Sequence, residues 1–162
     1  GRSAVYKAIR KRARKGRVAI SKEKGLAFAI QKRYLDEMIA HAKAEYPYEA
    51  CGIIAGSDGQ AVKLYRTRSA ERSPVRYVID PREQLGVMRE LEDKGWDLAG
   101  SYHSHTHSPA YPSQTDVQLA YYPDAVYFIV SLMCAAPVVR AFLILDGKVA
   151  EVEIVASVDQ RI

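Results

Sequence analysis

Within "SYHSHTHSPAYPSQTD", residues 101–116, three of the chain's four histidines alternate with Ser104 and Thr106. In an extended strand residues i and i+2 share a face about 7 Å apart, so His103 and His105 can aim both rings at one point. Imidazole nitrogens bind zinc at ~2.0–2.1 Å in tetrahedral geometry, and a catalytic site leaves one position open. Two imidazoles need a third ligand. His107 continues the alternation, but on a straight strand the first and third side chains stand roughly 13–14 Å apart. Asp116 is preferred, because the loop through Pro109 and Pro112 can fold a following helical turn back onto the strand end.

"SQTD" also reads as a capping box, Ser113 at the N-cap and Asp116 at the third helical position. Capping alone accounts for both residues; beside a His-x-His pair, ligation becomes the stronger reading for Asp116. Hydrolysis at such a metal needs a group to take a proton from water and return it to the leaving amine. Glu49, in "YPYEACGIIAG", is the best candidate: it stands at the mouth of an apolar strand, where a carboxylate is costly without a partner or a task. From its position alone, an ordinary surface glutamate at a strand start is the stronger reading.

The elements that must carry these groups follow from periodicity. Strands are expected at 26–30, 50–56, 61–66, 75–79 ("VRYVI"), 97–105, 125–132, 138–145 and 149–155, the last two joined by an Asp146-Gly147 hairpin signal. Leu35, Met38, Ile39, Ala42 and Tyr46 give a helix over 31–46, ended by Pro47. A second helix starts at Asp80 as N-cap, with Pro81 at the first helical position and Glu83 closing a capping box, and stops before Gly95. A third covers 113–122. The fold class is therefore α/β: one mixed, largely antiparallel sheet flanked by three helices.

At 162 residues the chain suits a single domain. Its net charge of +5 comes from the first 24 residues, which hold ten Lys/Arg and one Glu. The remaining chain is mildly acidic. Residues 1–25 thus read as a basic N-terminal extension and 26–162 as the domain. Without aromatic interleaving the extension is expected to be loosely docked, and no nucleic-acid partner is expected. No apolar run approaches the ~20 residues of a membrane span, and no signal peptide is recognised. Cys51 and Cys134 both lie in apolar surroundings and read as buried free thiols, which suits a reducing, cytoplasmic location.

The string Glu49-Ala-Cys-Gly, then His103-Ser-His105, seven residues, Ser113, two residues and Asp116, resembles the motif of the JAMM (MPN-plus) zinc metalloproteases. The resemblance covers residues 26–155, with "AHAKAEYPYEACGIIAG", "SAERSPVRYVIDPREQL" and "PDAVYFIVSL" most similar to small prokaryotic Mec-type hydrolases. It implies the cytidine-deaminase-like architecture of that family and one Zn2+ per chain on His103, His105 and Asp116. It further implies Glu49 as the proton shuttle and Ser113 as a donor to the tetrahedral oxyanion. The implied partner is a β-grasp ubiquitin-like or sulfur-carrier protein ending in Gly-Gly, whose tail lies beside the strand of Val75, Tyr77 and Ile79. His107 falls outside the motif and is read as lining the groove or supporting the site from behind. The leaving group is cysteine or a lysine-linked protein. A non-enzymatic MPN scaffold is disfavoured because that class lacks the ligands. A DNA-repair-associated family with the same spacing shows "HPSG" after its histidines, where this chain has "HTHS".

Overall fold

The computed structural model describes the backbone of Ala19–Ile20 and residues 25–158. Apart from those two residues and Gly25, the basic extension lies outside the described residues. In chain order the elements are β1 (Ala19–Ile20), β2 (Leu26–Gln31), α1 (Lys32–Glu45), β3 (Cys51–Ser57), β4 (Gln60–Thr67), α2 (Pro81–Lys94), β5 (Asp97–His105), α3 (Gln114–Gln118), β6 (Val126–Ser131), β7 (Val138–Leu145) and β8 (Lys148–Ser157). All the strands join one sheet in the order β1-β2-β8-β7-β6-β5-β3-β4. Only β2–β8 and β5–β6 run parallel. The sheet is therefore mixed and largely antiparallel, and three helices flank it among the described residues.

Alternation along the strands builds two faces. Val126, Phe128 and Val130 of β6 join Phe28, Ile30 and Tyr102 beneath Met38 and Ala42 of α1. Phe28 meets Phe128 edge-on, centroids 5.9 Å apart. On the opposite face Tyr127, Ile129 and Phe142 pack under Val117 and Ala120, around α3, and Ile53 and Ala55 pack under Val87 and Leu91 of α2. β6 is buried on both faces, which explains its unbroken apolar run. Tyr102 fits only because residue 52 is glycine: a Cβ there would stand 2.1 Å from the Tyr102 ring. The Tyr102 hydroxyl meets His41 Nδ1 at 2.7 Å, so the core is closed around a satisfied polar pair.

Several expectations are corrected. "VRYVI" forms no strand; its only bridge is Ile79 with Ser69. Its backbone bonds go instead to the loop before it: Ala70 N to Val78 O at 2.6 Å, Asp80 N to Arg68 O at 2.8 Å, and Val78 N to Ser69 Oγ at 3.1 Å. The segment 68–80 is thus a strap folded on itself, and the sheet edge is β4. Asp80 caps α2 through Arg82 N at 2.8 Å, but Glu83 turns away to accept from Arg68 N, so the capping box stays open. The third helix is five residues long rather than ten, because only Val117 and Ala120 find apolar cover on the sheet. Cys51 is buried as expected, whereas Cys134 is exposed in the β6–β7 turn, where the apolar residues around it have no sheet to pack on.

Candidate metal centre and cleft

β5 delivers the two histidines. Tyr102 and His103 point to opposite faces, so once Tyr102 is committed to the α1 side, His103 and His105 must face α2 and α3. Both are buried. The antiparallel register pairs Cys51 with His103. Continued by two residues, that register lays Glu49 beside His105. Ser104, between the histidines, pins this junction: its N–H donates to Ala50 O at 3.0 Å, and its Oγ accepts from Ala50 N at 2.7 Å.

The third group arrives on α3. Ser113 and Asp116 form the expected capping box: Asp116 N donates to Ser113 Oγ at 3.0 Å, and Ser113 N donates to Asp116 Oδ2 at 2.9 Å. That same Oδ2 lies 3.1 Å from His103 Nε2 and 3.0 Å from His105 Nε2. The two Nε2 atoms are 3.1 Å apart.

Three donor atoms in a near-equilateral triangle suit one small ion, since ~2.0–2.1 Å tetrahedral bonds place ligand atoms about 3.3 Å apart. The tautomers suit it too. His105 Nδ1 donates to Pro109 O at 2.8 Å, which leaves the Nε2 lone pair facing the triangle, as in a metal-ligating imidazole. His107 does not join the triangle. It lies on the cleft wall, Nδ1 2.9 Å from Thr106 Oγ1 and Nε2 3.3 Å from Tyr46 Oη.

Electrostatics follow from burial and pairing. Burial pushes the Asp116 carboxyl up, but close contact with both imidazoles outweighs it and holds the group far below the carboxylate range. Burial holds the His103 imidazole below its ordinary value, while at His105 contact with Asp116 overcomes burial and raises it. Glu49 is pushed up to about 7, chiefly by burial, with His105 opposing and Asp116 adding to the shift. A carboxyl poised there can both accept and return a proton near neutral pH.

One cleft opens onto His105 and Glu49, lined also by Pro74, Val75, His107, Ser108 and Ser113. Val75 is exposed at its rim, whereas Ile79 is turned into the apolar cluster beneath α2, away from the cleft. Tyr77 lies flat on His103, centroids 4.4 Å apart and planes at 22°. Sequence reasoning missed Ser104 and Thr106. Thr106 Oγ1 donates to Pro74 O at 2.8 Å and anchors the strap to the histidine strand. Their signal was present: two small hydroxyl residues alternating with the histidines, all of them buried.

A mixed sheet carrying a buried His-x-His pair against a helix-borne aspartate defines the JAB/MPN class of domain. The family described as prokaryotic homologs of the JAB domain matches residues 31–145, and the chain belongs to it. The CysO-cysteine peptidase of Mycobacterium tuberculosis is 42% identical over 125 residues, covering 75% of this chain and 86% of its own. The probable TtuB-protein conjugate cleaving protease of Thermus thermophilus is 31% identical, covering 76% and 80%. A solution structure from Desulfitobacterium hafniense superposes with a TM-score of 0.72 at 35% identity, covering 81% of this chain and 93% of that one.

Proposed function

We propose that the chain is a zinc-dependent hydrolase acting on a β-grasp ubiquitin-like or sulfur-carrier protein. It cleaves the peptide or isopeptide bond after the carrier's C-terminal Gly-Gly. The observation that carries this reading is the triangle of His103 Nε2, His105 Nε2 and Asp116 Oδ2, with sides of 3.0–3.1 Å, whose His105 lines one cleft with Glu49 and Ser113.

His103, His105 and Asp116 would hold the zinc ion, whose Lewis acidity activates water and polarises the scissile carbonyl. Glu49 takes the proton from the attacking water and returns it to the departing amine, the two halves of a general acid–base cycle. Ser113 Oγ accepts from Asp116 N, so its own proton is free to be donated to the oxyanion. Capping orients that hydroxyl rather than consuming it. Val75 and His107 on the cleft wall are read as contacts for the carrier tail, whose glycines suit a narrow passage. The domain is assigned to residues 26–162, and a cytoplasmic location is proposed. No helix among the described residues is long and apolar enough to cross a membrane.

Of the two leaving groups, cysteine is favoured by the similarity to the mycobacterial CysO-cysteine peptidase, 42% identical across 75% of the chain. The second reading, an isopeptidase for lysine conjugates, is favoured by the similarity to the TtuB-conjugate protease. Incubating the zinc-loaded chain with a carrier–cysteine adduct and with a lysine-linked conjugate separates them. Release of cysteine is expected; cleavage of the lysine conjugate alone would reverse the preference, and cleavage of neither would remove the hydrolase assignment.

A further inference from the structure

The two imidazoles of the triangle are held in different ways. His105 is oriented by a hydrogen bond from Nδ1 to Pro109 O at 2.8 Å. His103 Nδ1 is buried with no hydrogen-bond partner among the described residues. A metal-ligating histidine ordinarily donates its second nitrogen to a carboxylate, carbonyl or water, which fixes the ring's rotation. Among the described residues no protein group supplies that anchor to His103. What it has instead is the Tyr77 ring, stacked at 4.4 Å with planes only 22° apart.

The strap that brings Tyr77 there is pinned on three sides. Ala70 N donates to Val78 O, and Asp80 N to Arg68 O. Thr106 Oγ1, one residue beyond His105, donates to Pro74 O at 2.8 Å. Glu49 N donates to Ser73 O at 2.9 Å. The strap is therefore fixed to both the histidine strand and the glutamate that shares the cleft. Tyr77 is set down on His103 by backbone bonds on either side of it, and its place does not depend on its hydroxyl.

We propose that Tyr77 is the positioning residue for His103: its aromatic face replaces the missing hydrogen bond and holds the imidazole in the orientation that presents Nε2 to the metal. This rests on the zinc reading above. It also gives Tyr77 a role apart from contact with the carrier tail. The stacking face matters and the hydroxyl does not, so phenylalanine should substitute and an aliphatic residue should not.

The experiment is zinc binding by the purified metal-free chain in competition with a chromophoric chelator, with thermal unfolding of the same metal-free samples. Tyr77→Phe should bind zinc as the parent does, and Tyr77→Leu about ten- to a hundred-fold more weakly, the range for loss of an outer contact to a ligand. A merely structural role would lower the metal-free Tm of Tyr77→Leu and leave its zinc affinity unchanged, which would overturn the proposal. So would a loss in Tyr77→Phe as large as that in Tyr77→Leu. Should Tyr77→Leu not fold, the ring proton of His103 decides by NMR. An upfield ring-current shift in the parent and in Tyr77→Phe supports the stack, and its absence overturns it. If the parent chain binds no zinc, the metal reading itself fails; normal binding by Tyr77→Leu removes only the role of Tyr77.

Discussion

Asp116 Oδ2 accepts the Ser113 N–H at 2.9 Å and stands 3.0 and 3.1 Å from the two imidazoles. One oxygen thus closes the cap of α3 and completes the triangle of donor atoms. A five-residue helix has little stability of its own. Its cap and the packing of Val117 are what keep Asp116 over the histidines.

Asp116→Ala should therefore abolish stoichiometric zinc, whereas His107→Ala should keep it, because His107 lies outside the triangle. Metal analysis of the two purified variants checks this. Zinc retained by the first and lost by the second would indicate a three-histidine site.

Glu49→Gln should retain zinc while kcat/KM for the carrier adduct falls by about 10²–10⁴, the range for a general acid–base group. In the parent chain the carboxylate form accepts the water's proton, so kcat/KM should fall away at the acidic end as Glu49 becomes protonated. The residual activity of Glu49→Gln should lack that limb. A pH profile of both proteins is the measurement.

The same substitution should stabilise the metal-free fold. Glu49 titrates near 7 in the folded chain against 4.5 in its ordinary state. Its contribution to folding is most favourable below pH 4.5 and is lost as pH rises through about 7. Glutamine carries no charge to bury, so Glu49→Gln should gain roughly 1–3 kcal/mol at pH 8 and little at pH 4.5. Thermal unfolding at the two pH values reads this as an upward Tm shift at pH 8 only, with activity and stability traded at one position.

Gly52→Ala should destabilise the fold from the side opposite the cleft. The added methyl would stand 2.1 Å from the Tyr102 ring, which is buried and tied to His41. Overpacking of this kind costs about 1–3 kcal/mol, and each kcal/mol lowers Tm by roughly 2–4 °C in a chain of this size. Because Tyr102 precedes His103, zinc affinity should weaken as well, and the chelator competition described above would show it.

Much of this molecule was legible in its residues because the relevant signals are local. Alternation places His103 and His105 on one face whatever the sheet looks like, and Pro81 and Gly95 bound α2 by their own backbone preferences. "SQTD" announces its cap over four residues, although the helix behind it proved half the expected length. Other features depend on contacts far apart in the chain, and only the tertiary structure decided them. "VRYVI" has the β-branched composition of a strand, yet its hydrogen bonds were taken by Ser69 and Ala70, and Tyr77 went to His103. Glu49 reads as a surface residue until the β3–β5 register buries it beside His105, and burial is what moves its proton affinity. Sequence spacing selected the donor atoms; the sheet register and a cap-bound helical turn set the 3.0–3.1 Å separations between them.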